Sequence, residues 1–400
     1  MMAQPTNTFT LPITQMQKQT PWVASVQTKA LRILMVTPRY LPIMGGVENH
    51  VYQVARRLAH AGVDVTVLTT DPSKRLPATE TMEEVQIQRV HAWPADRDYY
   101  FAPGIYKVIQ EGNWDLMHLQ SYHTLVAPIA MLAAQRARLP YVVTFHGGGH
   151  TSMLRNQARG LQQTLLRPLL ARAHKLVAVA NFEINHYGKR LGLTPERFAV
   201  IPNGCDLATP EGAIALEDAT AEATKPIEIL SVGRLEQYKG HHRILAAMPA
   251  LLAHYPDARL RIVGEGPYGA ELQKQAVALG VSAQVTIGAI PMTNRSEMAA
   301  TLAKATVVTL LSDYETHPIA ALEALALQRP VLVTNTSGLQ ELADRGLARS
   351  VGLTSTPQAV AHAVIEQIRN PLRPAHFDLP TWDDCARELL LLYRACVGRF

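Results

Sequence analysis

Short apolar runs alternate with helical patterns along most of the chain from Leu31 onward. The segment Leu31–Thr37, LRILMVT, is almost continuously apolar, which is typical of a strand buried on both faces of a parallel sheet. A helical pattern follows, with apolar residues spaced by three and four at Val47, Val51, Val54 and Leu58. The run VDVTVLTT at 63–70 predicts the second strand. Repetition of this strand–helix–strand unit indicates a parallel sheet covered by helices on both faces.

Further strand candidates continue this alternation through both halves of the chain. In the first half they are VQIQRV at 85–90, DLMHLQ at 115–120, YVVTF at 141–145 and KLVAVA at 175–180. After 207 the alternation is interrupted by a stretch rich in Ala, Thr and Glu that has no strand pattern. It restarts with IEILSV at 227–232 and continues through ARLRIVG at 258–264, VTIG at 285–288, TVVTLL at 306–311 and VLVTN at 331–335.

These patterns predict an α/β protein of two doubly wound, Rossmann-like domains that face each other across a cleft. We expect a flexible tail at 1–29, the N-terminal domain at 30–207, an interdomain linker at 208–225 and the C-terminal domain at 226–380. A last helix, within 381–400, can pack back on the N-terminal domain. The cleft is the expected ligand site, because open parallel sheets bind ligands at the carboxyl ends of their strands.

Composition narrows the class of protein. Hydrophobic residues make up 48% of the 400 positions and charged residues 18%, so the chain can fill two cores. The net charge of +5 is spread without a long run of like charges, which argues against nucleic-acid binding. Three cysteines fit neither a disulfide framework nor a C-x-x-C metal site, and they indicate a reducing, cytoplasmic compartment. The longest uncharged apolar stretch, 121–135, is shorter than the ~18 residues of a membrane span.

Several short motifs match known signatures without the partners that their chemistry needs. Gly264–Gly269 spells G-x-G-x-x-G, but no acidic residue follows at the ~20-residue spacing of dinucleotide sites, so we interpret it as a strand–helix turn. His146–Gly149 resembles an esterase oxyanion loop, yet the chain has no G-x-S-x-G nucleophile elbow. Asp96–Asp98 is a D-x-D string in a polar stretch, which we interpret as a solvated loop.

The segment 312–342 carries two glutamates, Glu315 and Glu323, with seven residues between them. Pro318 stands where a helix can begin, since proline at the first turn loses no needed hydrogen bond, and the predicted helix is Ile319–Gln328. The free N–H groups and partial positive charge of its N-terminus suit a phosphate. Without further context, two glutamates at this spacing are usually solvated helix charges.

Two cations and a glycine pair supply that context. Arg234 and Lys239 follow the strand that opens the C-terminal domain, at the edge where parallel sheets bind ligands. Arginine grips phosphate oxygens bidentately, and lysine acts as a point charge. Gly45 and Gly46 follow the first strand of the N-terminal domain, where glycine allows close approach of the backbone to a ligand. Convergence of these groups on a diphosphate, with a carboxylate left for hydroxyl groups, predicts a nucleotide-sugar site.

In this order, the motifs resemble those of the retaining glycosyltransferases of family 4, which have the GT-B fold. The markers are GGVENHVYQVARRLAHAGVDVTVLTT at 45–70, VTFHG at 143–147, VIPNGCD at 200–206, VGRLEQYKG at 232–240 and the two glutamates followed by G-L-x-E-L. The resemblance extends from Leu31 to the last helix. It implies a hexosyltransferase of carbohydrate biosynthesis, with an acceptor-side N-terminal domain and a C-terminal domain that binds the nucleotide sugar.

The resemblance also implies roles for individual residues. Donor binding would involve Gly45, Gly46, Arg234, Lys239, Glu315, Ile319, Ala320 and Glu323. Arg234 and Lys239 would hold the diphosphate, while Glu315 would contact sugar hydroxyls and Glu323 the ribose diol. The residues expected to act in catalysis are His146, beside the transferred sugar, and Arg234, Lys239 and Glu315. The resemblance implies no metal and no cofactor, and the donor would be a UDP-, GDP- or ADP-sugar.

One position departs from the family pattern. The aromatic–glycine pair that usually follows the first glutamate is replaced here by His317-Pro318. Proline removes one backbone donor from the loop expected to face the phosphates. Either the N–H groups of Ile319 and Ala320 suffice for phosphate binding, or His317 supplies a compensating donor. Asn203-Gly204, by the same resemblance, would be a structural turn near the domain boundary.

The expected reaction transfers a hexose to an acceptor hydroxyl of a glycan, a lipid-linked sugar or a small molecule, with retention of the anomeric configuration. The leaving diphosphate gains negative charge, and Arg234, Lys239 and the helix terminus can stabilise it. No carboxylate stands out as a covalent nucleophile, in contrast to the paired carboxylates of glycosidases. Two alternatives stay open, namely a nucleotide-sugar epimerase or phosphorylase of the same fold, and a nucleotide-sugar-binding protein without turnover.

Part of the basic excess is concentrated in Thr151–Leu176, which carries five Arg or Lys residues and no acid. Leucines interleave with these cations, and such a stretch can contact anionic lipid, at ~1 kcal/mol per cation near the surface. Because it follows His146 on the acceptor side, we expect a peripheral contact with the inner membrane face that serves a lipid-linked acceptor. The alternative is an ordinary helix packed on the sheet, with its arginines in solvent.

Overall fold

The computed structural model describes residues 30–43, 45–95, 100–147, 153–205, 226–291, 294–374 and 380–398, and in the helix at 153–170 it describes side chains from Gln162 onward. The expected tail at 1–29, the linker at 208–225 and the D-x-D string at 96–98 lie outside the described residues. The described residues form two Rossmann-like α/β domains with parallel sheets, so the predicted fold class is confirmed.

The N-terminal domain is built on an eight-stranded sheet. Its strands are β1 Arg32–Val36, β2 Asp64–Asp71, β3 Thr79–Met82, β4 Val85–His91, β5 Leu116–Gln120, β6 Tyr141–Thr144, β7 Lys175–Ala178 and β8 Phe198–Val200. They lie in the order β3-β4-β2-β1-β5-β6-β7-β8, and only β3 is antiparallel to its neighbour. The helices are α1 Gly46–His60, α2 Gly104–Glu111, α3 Val126–Arg136, α4 Met153–Leu170 and α5 Asn181–Leu191.

The C-terminal domain repeats this architecture with six parallel strands. These are β9 Glu228–Val232, β10 Arg259–Val263, β11 Val285–Gly288, β12 Val307–Leu310, β13 Val331–Thr334 and β14 Arg349–Val351, in the order β11-β10-β9-β12-β13-β14. Its helices are α6 His241–Leu252, α7 Gly269–Ala278, α8 Arg295–Lys304, α9 Ile319–Ala326, α10 Ser337–Asp344 and α11 Pro357–Arg369, and α12 Trp382–Val397 ends the described chain. The strand order reverses beside β1 in one sheet and β9 in the other, which is where open α/β sheets form ligand crevices.

The structure adds three short strands that the hydrophobic pattern did not predict. β3 has the polar sequence TETM and is largely exposed at an edge of the sheet. β8 and β14 contain three residues each, FAV and RSV, and also lie at sheet edges. Runs of three or four residues are too short to display a period of two, and an exposed edge strand carries no apolar run. The pattern therefore identifies the central strands and misses three at the margins.

The last helix, α12, packs on the N-terminal domain, although it follows the C-terminal domain in sequence. Its residues Trp382, Leu389 and Tyr393 are buried in the same hydrophobic cluster as Ile33 and Met35 of β1. The Tyr393 hydroxyl lies 2.5 Å from Nδ1 of His118, which is buried in β5. Because the chain returns in this way, α12 covers part of the β-sheet of the N-terminal domain. Across the described residues, no helix combines the length and apolar character that crossing a membrane requires.

Gly204 shows how closely the returning chain approaches. A Cβ atom built on Gly204 would lie 2.1 Å from the backbone nitrogen of Trp382, the first residue of α12. The N–H of Cys205 donates to the carbonyl of Pro380 at 2.9 Å. Glycine is thus required here for a backbone-to-backbone contact between the end of the N-terminal domain and the start of α12.

Candidate active site

A cleft of about 400 Å³ lies between the two domains at the carboxyl ends of their strands. The N-terminal domain contributes Arg39, Ile43, Gly45, Gly46, Val47, Glu48, His146, Gly147, Val179 and Asn203. The C-terminal domain contributes Arg234, Tyr238, Lys239 and the continuous segment 314–319. Of the residues singled out from the sequence, the cleft lining includes Gly45, Gly46, His146, Arg234, Lys239, Glu315 and Ile319. Ala320 and Glu323 are not part of that lining.

Lys239 and Glu315 form an ion pair in this cleft. The Lys239 Nζ atom lies 2.5 Å from Oε1 of Glu315, and the side chains are only 17% and 15% exposed. Ser312 Oγ donates to the same carboxylate oxygen at 2.9 Å. The sequence suggested separate contacts, a phosphate for Lys239 and sugar hydroxyls for Glu315. The geometry joins them into one unit, because the loops after β9 and β12 lie side by side.

Tyr238 connects the two cations that follow β9. Its hydroxyl accepts a hydrogen bond of 2.5 Å from Nη2 of Arg234. The Lys239 ammonium lies 5.4 Å from the centre of the Tyr238 ring, within the range of a cation–π contact. Tyr238 was not recognised from the sequence, although an aromatic residue between two cations in VGRLEQYKG is a usable signal. Its ring holds Arg234 and Lys239 at one wall of the cleft.

The glycine-rich motif after β10 supports this wall from behind. A Cβ atom on Gly264 would lie 1.9 Å from the Gly233 carbonyl oxygen, and one on Gly266 would lie 2.4 Å from that of Leu235. The N–H of Leu235 donates to the Glu265 carbonyl at 2.8 Å. The motif links strand β10 to helix α7, so its interpretation as a strand–helix turn is confirmed. Its glycines allow two loops to pack backbone against backbone beside Arg234.

The Glu315 loop is fixed at its backbone by α10. The N–H of Glu315 donates to Ser337 Oγ, and the N–H of Gly338 donates to the Glu315 carbonyl, both at 2.9 Å. A Cβ atom on Gly338 would lie 1.8 Å from the carbonyl oxygen of Thr316. The position of the Glu315 carboxylate therefore depends on the start of α10 as much as on its own loop.

Helix α9 begins at Ile319, as the sequence predicts, but ends at Ala326 rather than Gln328. Gln328 has a φ of 57°, a left-handed conformation that does not continue a helix. At the other end, the first hydrogen bonds to the Pro318 carbonyl come from the N–H groups of Ala321 and Leu322. The N–H groups of Ile319 and Ala320 precede them, at the positions where a helix has no internal acceptor.

His317, the departure from the family pattern, lines the cleft. Burial lowers the pKa of its imidazole to about 4, with a smaller contribution from the positive charge of Arg345. Its Nδ1 atom has no hydrogen-bond partner among the described residues. At neutral pH this side chain is uncharged, so it offers a hydrogen bond to a ligand but no positive charge.

Glu323 lies inside α9 and makes an ion pair with Arg295 of α8. Only 5% of its side chain is exposed. Burial raises the pKa of the carboxyl group, and the charge and hydrogen bonds of Arg295 act against that rise. Arg295 was not recognised from the sequence, where it lies 28 positions away. The predicted contact of Glu323 with a ribose stays a prediction.

His146 lines the cleft on the side of the N-terminal domain, and the buried His50 and His118 lie behind it. His146 follows β6 with a φ of 47°, and its Nε2 atom lies 2.6 Å from Oε1 of Gln120. Its ring centre is 4.6 Å from that of His50, whose Nδ1 lies 2.8 Å from Oδ1 of Asn203. Burial lowers the pKa of His50 to about 4 and those of His118 and His146 well below the usual value. All three imidazoles are neutral at pH 7. The contact with His50 also gives the Asn203 side chain a hydrogen-bonding role in addition to its expected place in a turn.

The loop after β1, which contains Gly45 and Gly46, lies against a second carboxylate, that of Glu48. Glu48 is buried in the first turn of α1 and lies 3.1 Å from Nε of Arg39. A Cβ atom on Gly45 would lie 2.6 Å from Oε2 of Glu48, whereas one on Gly46 would meet no atom within 4 Å. Gly45 thus makes room for the carboxylate, and Gly46 leaves open space. No pattern in the sequence pointed to the Arg39–Glu48 pair.

The charges that line the cleft leave a net positive excess. Three cations, Arg39, Arg234 and Lys239, stand against the carboxylates of Glu48 and Glu315. His146 and His317 add no charge near neutral pH, because burial lowers their pKa values. A cleft lined by an excess of positive charge attracts an anion.

Comparisons with known proteins agree with this architecture. Residues 44–209 match the family described as Glycosyltransferase Family 4, and residues 215–378 match Glycosyl transferases group 1. Glycogen synthase of Mycobacterium tuberculosis is 31% identical over 363 residues, which cover 83% of this chain and 84% of that protein. Phosphatidyl-myo-inositol mannosyltransferase of Mycolicibacterium smegmatis is 33% identical over 257 residues, or 62% of each chain.

Solved structures show the same fold. Sucrose-phosphate synthase of Thermosynechococcus elongatus superposes with a TM-score of 0.73 at 21% identity, covering 92% of this chain and all of that one. Anabaena HepE in complex with UDP-glucose gives a TM-score of 0.65 at 18% identity, covering 92% of this chain and 98% of that one. The chain therefore belongs to the family 4 glycosyltransferases, and it is a glycosyltransferase of the GT-B fold.

Proposed function

We propose that this enzyme transfers a hexose from a nucleoside-diphosphate sugar to an acceptor hydroxyl, with retention of the anomeric configuration and without a metal ion. The observation that carries the proposal is the Lys239–Glu315 ion pair beside Arg234, at the carboxyl end of β9. Cations at this position suit a diphosphate, and an adjacent carboxylate suits hydroxyl groups. Anabaena HepE, which shares the fold, was solved in complex with UDP-glucose, and this supports the same class of donor here.

Charge development explains how these residues would act. As the glycosidic bond breaks, negative charge builds on the β-phosphate oxygen of the leaving nucleotide. Arg234, Lys239 and the N–H groups at the start of α9 are fixed before the reaction, so they stabilise this charge without reorganising. In sites that use a divalent metal ion, the ion supplies this positive charge. Here it would come from the side chains of Arg234 and Lys239. His146, held by Gln120 on the opposite wall, would face the transferred sugar.

The contacts of the two carboxylates support a mechanism without a covalent glycosyl-enzyme. Glu315 is bound by Lys239 and Ser312, and Glu48 is bound by Arg39. Each is thereby neutralised and held in place, which is unsuitable for nucleophilic attack on an anomeric carbon. The acceptor would instead attack from the side that the diphosphate leaves, which retains the configuration.

The test begins with thermal-shift measurements against UDP-, GDP- and ADP-sugars. Ligand at 100 times its Kd stabilises the folded state by ~2.7 kcal/mol, so the true donor is expected to raise Tm by several degrees. The same donor is then incubated with glycan, lipid-linked and small-molecule acceptors, with and without EDTA. We expect transfer that is insensitive to EDTA. Consumption of the donor at the full rate without any acceptor would instead indicate an epimerase or a phosphorylase of the same fold, and binding without turnover would indicate a nucleotide-sugar-binding protein.

We also propose that α4 contacts an anionic membrane on its cytoplasmic face. Leu165 is 67% exposed on this helix, beside the exposed Arg167. Arg167 of α4 and Lys175 of the following strand donate hydrogen bonds to the carbonyls of Leu191 and Glu196, which orient the two side chains and leave their positive charges in place. An amphipathic helix of this kind binds lipid through apolar side chains supported by cations.

Leu165→Ser is expected to reduce cosedimentation with phosphatidylcholine vesicles that contain increasing phosphatidylglycerol, measured at low salt. The matched control is Val277→Ser, because Val277 is 71% exposed on α7 and Lys274 is the only cation within seven positions of it in sequence. Binding that does not depend on anionic lipid, or an equal loss in both variants, would remove the membrane contact.

A further inference from the structure

The two domains meet at a contact between α5 and α10. Glu341, on α10 of the C-terminal domain, accepts hydrogen bonds from the backbone N–H groups of Asn181, at 3.2 Å, and Phe182. Those two residues begin α5 of the N-terminal domain. The start of a helix has free N–H groups and a partial positive charge, so a carboxylate is well suited to it. A single side chain of one domain therefore binds the end of a helix in the other.

From this contact, α5 leads to the acceptor-side loop. Glu183 lies in the first turn of α5 and is fully buried. Its carboxylate accepts hydrogen bonds from the N–H of Gly147 at 3.2 Å and from that of Val179 at 2.8 Å. Gly147 directly follows His146, and a Cβ atom on it would lie 2.4 Å from the hydroxyl of Tyr314 in the opposite domain. The loop that carries His146 is thus held by α5 and packed beneath the other domain.

From the same contact, α10 leads to the donor-side loop. Ser337 and Gly338, in its first turn, hydrogen-bond the backbone N–H and carbonyl of Glu315. Glu341 lies one turn further along the same helix. Helices α5 and α10 are rigid elements, and each is bound to one of the two loops that form opposite walls of the cleft. Glu341 is the side chain whose hydrogen bonds join them.

We propose that Glu341 is a positioning residue that sets the alignment of the His146 loop against the Glu315 loop when the domains are closed. The inference rests on the proposed function, because it concerns the alignment of an acceptor-side and a donor-side group. Glu341 does not line the cleft. Glu341 affects the rate of sugar transfer because it fixes the position of one domain relative to the other.

Glu341→Ala is expected to lower kcat by about 10- to 100-fold, since a displacement of about 1 Å between reacting groups has this cost. Donor affinity is expected to change by less than about threefold, because Ser337 and Gly338 still hold the Glu315 loop. Glu341→Gln keeps an oxygen that can accept one of the two N–H groups, so it should recover part of the lost kcat. Because a smaller folded fraction would also lower the apparent kcat at unchanged donor affinity, kcat is calculated per donor-binding site titrated in the same preparation.

Asp344→Ala provides the matched control. Asp344 is exposed on the same helix and lines the same surface groove beside α5, yet no hydrogen bond or ion pair joins it to α5 among the described residues. It should keep wild-type kcat within about twofold. The second measurement is the distance between spin labels placed on the two domains, recorded with and without donor. Wild type and Asp344→Ala should share one closed distance, and Glu341→Ala should show a longer or broader distribution.

Three outcomes would overturn the positioning role. They are an unchanged kcat in Glu341→Ala, an unchanged distance distribution, and a loss of donor affinity as large as the loss of kcat. Failure of the proposed function gives a different result, because a wild-type protein that transfers no sugar would still report the effect of Glu341 on the distance between its domains.

Discussion

Replacing Lys239 by alanine is expected to lower kcat/KM by about 30- to 900-fold, which corresponds to the ~2–4 kcal/mol that a preorganised electrostatic contact supplies. Two effects add in this variant. The leaving diphosphate loses a cation, and the Glu315 carboxylate loses the ammonium 2.5 Å away that neutralises it. An unpaired carboxylate would then lie beside an anionic ligand. For this reason Lys239→Ala should be at least as damaging as Arg234→Ala.

The second effect can be separated from the first by a double mutant. In Lys239→Ala/Glu315→Gln no unpaired carboxylate is left, so its loss of kcat/KM should be smaller than the product of the two single losses. Steady-state kinetics with the donor found by thermal shift gives these values. The control is Lys274→Ala, which removes an exposed lysine of α7 outside the cleft lining. A Lys239→Ala enzyme with the wild-type kcat/KM would refute the assignment of Lys239 to the diphosphate.

The fold could be predicted from the sequence because its central strands are buried on both faces. β1 and β13, for example, are almost continuously apolar, and their hydrophobic character follows directly from that burial. The sequence allowed the last helix to pack on the N-terminal domain but did not require it, since an amphipathic helix can cover either domain. Its packing depends on details such as the Gly204 contact with Trp382, which no periodicity records.

The candidate site was predictable only where chain position determines location. Arg234 and Lys239 follow a parallel strand, and that alone places them at the cleft edge. Side-chain pairing was not predictable, because partners such as Lys239 and Glu315 are 76 positions apart and meet through two neighbouring loops. Glu341 illustrates the same limit: the sequence shows a glutamate in a family motif, whereas its hydrogen bonds to α5 depend on the arrangement of two domains.

Gly240 makes a backbone contact on which both the stability of the C-terminal domain and the Lys239–Glu315 ion pair depend, so its replacement is expected to change stability and activity. It follows Lys239 directly with a φ of 73°, and a Cβ atom on it would lie 1.8 Å from the Leu311 carbonyl oxygen. That carbonyl belongs to the loop after β12 which leads to Ser312 and Glu315. The close approach of these two backbones is what brings Lys239 within reach of Glu315.

Gly240→Ala is therefore expected to lower the free energy of unfolding by about 3–4 kcal/mol, of which about 1 kcal/mol is the cost of a left-handed alanine and the rest is the clash. Gly280→Ala isolates the first part, because Gly280 has a φ of 69° and no atom within 4 Å of its Cβ position. Thermal unfolding of both variants should give a clearly larger fall in Tm for Gly240→Ala. Donor turnover should also fall in that variant alone, since relief of the clash moves Lys239 away from Glu315. Equal changes in Tm and full activity in both would mean that the turn at Gly240 can relax without disturbing the ion pair, and that the cleft does not depend on this contact.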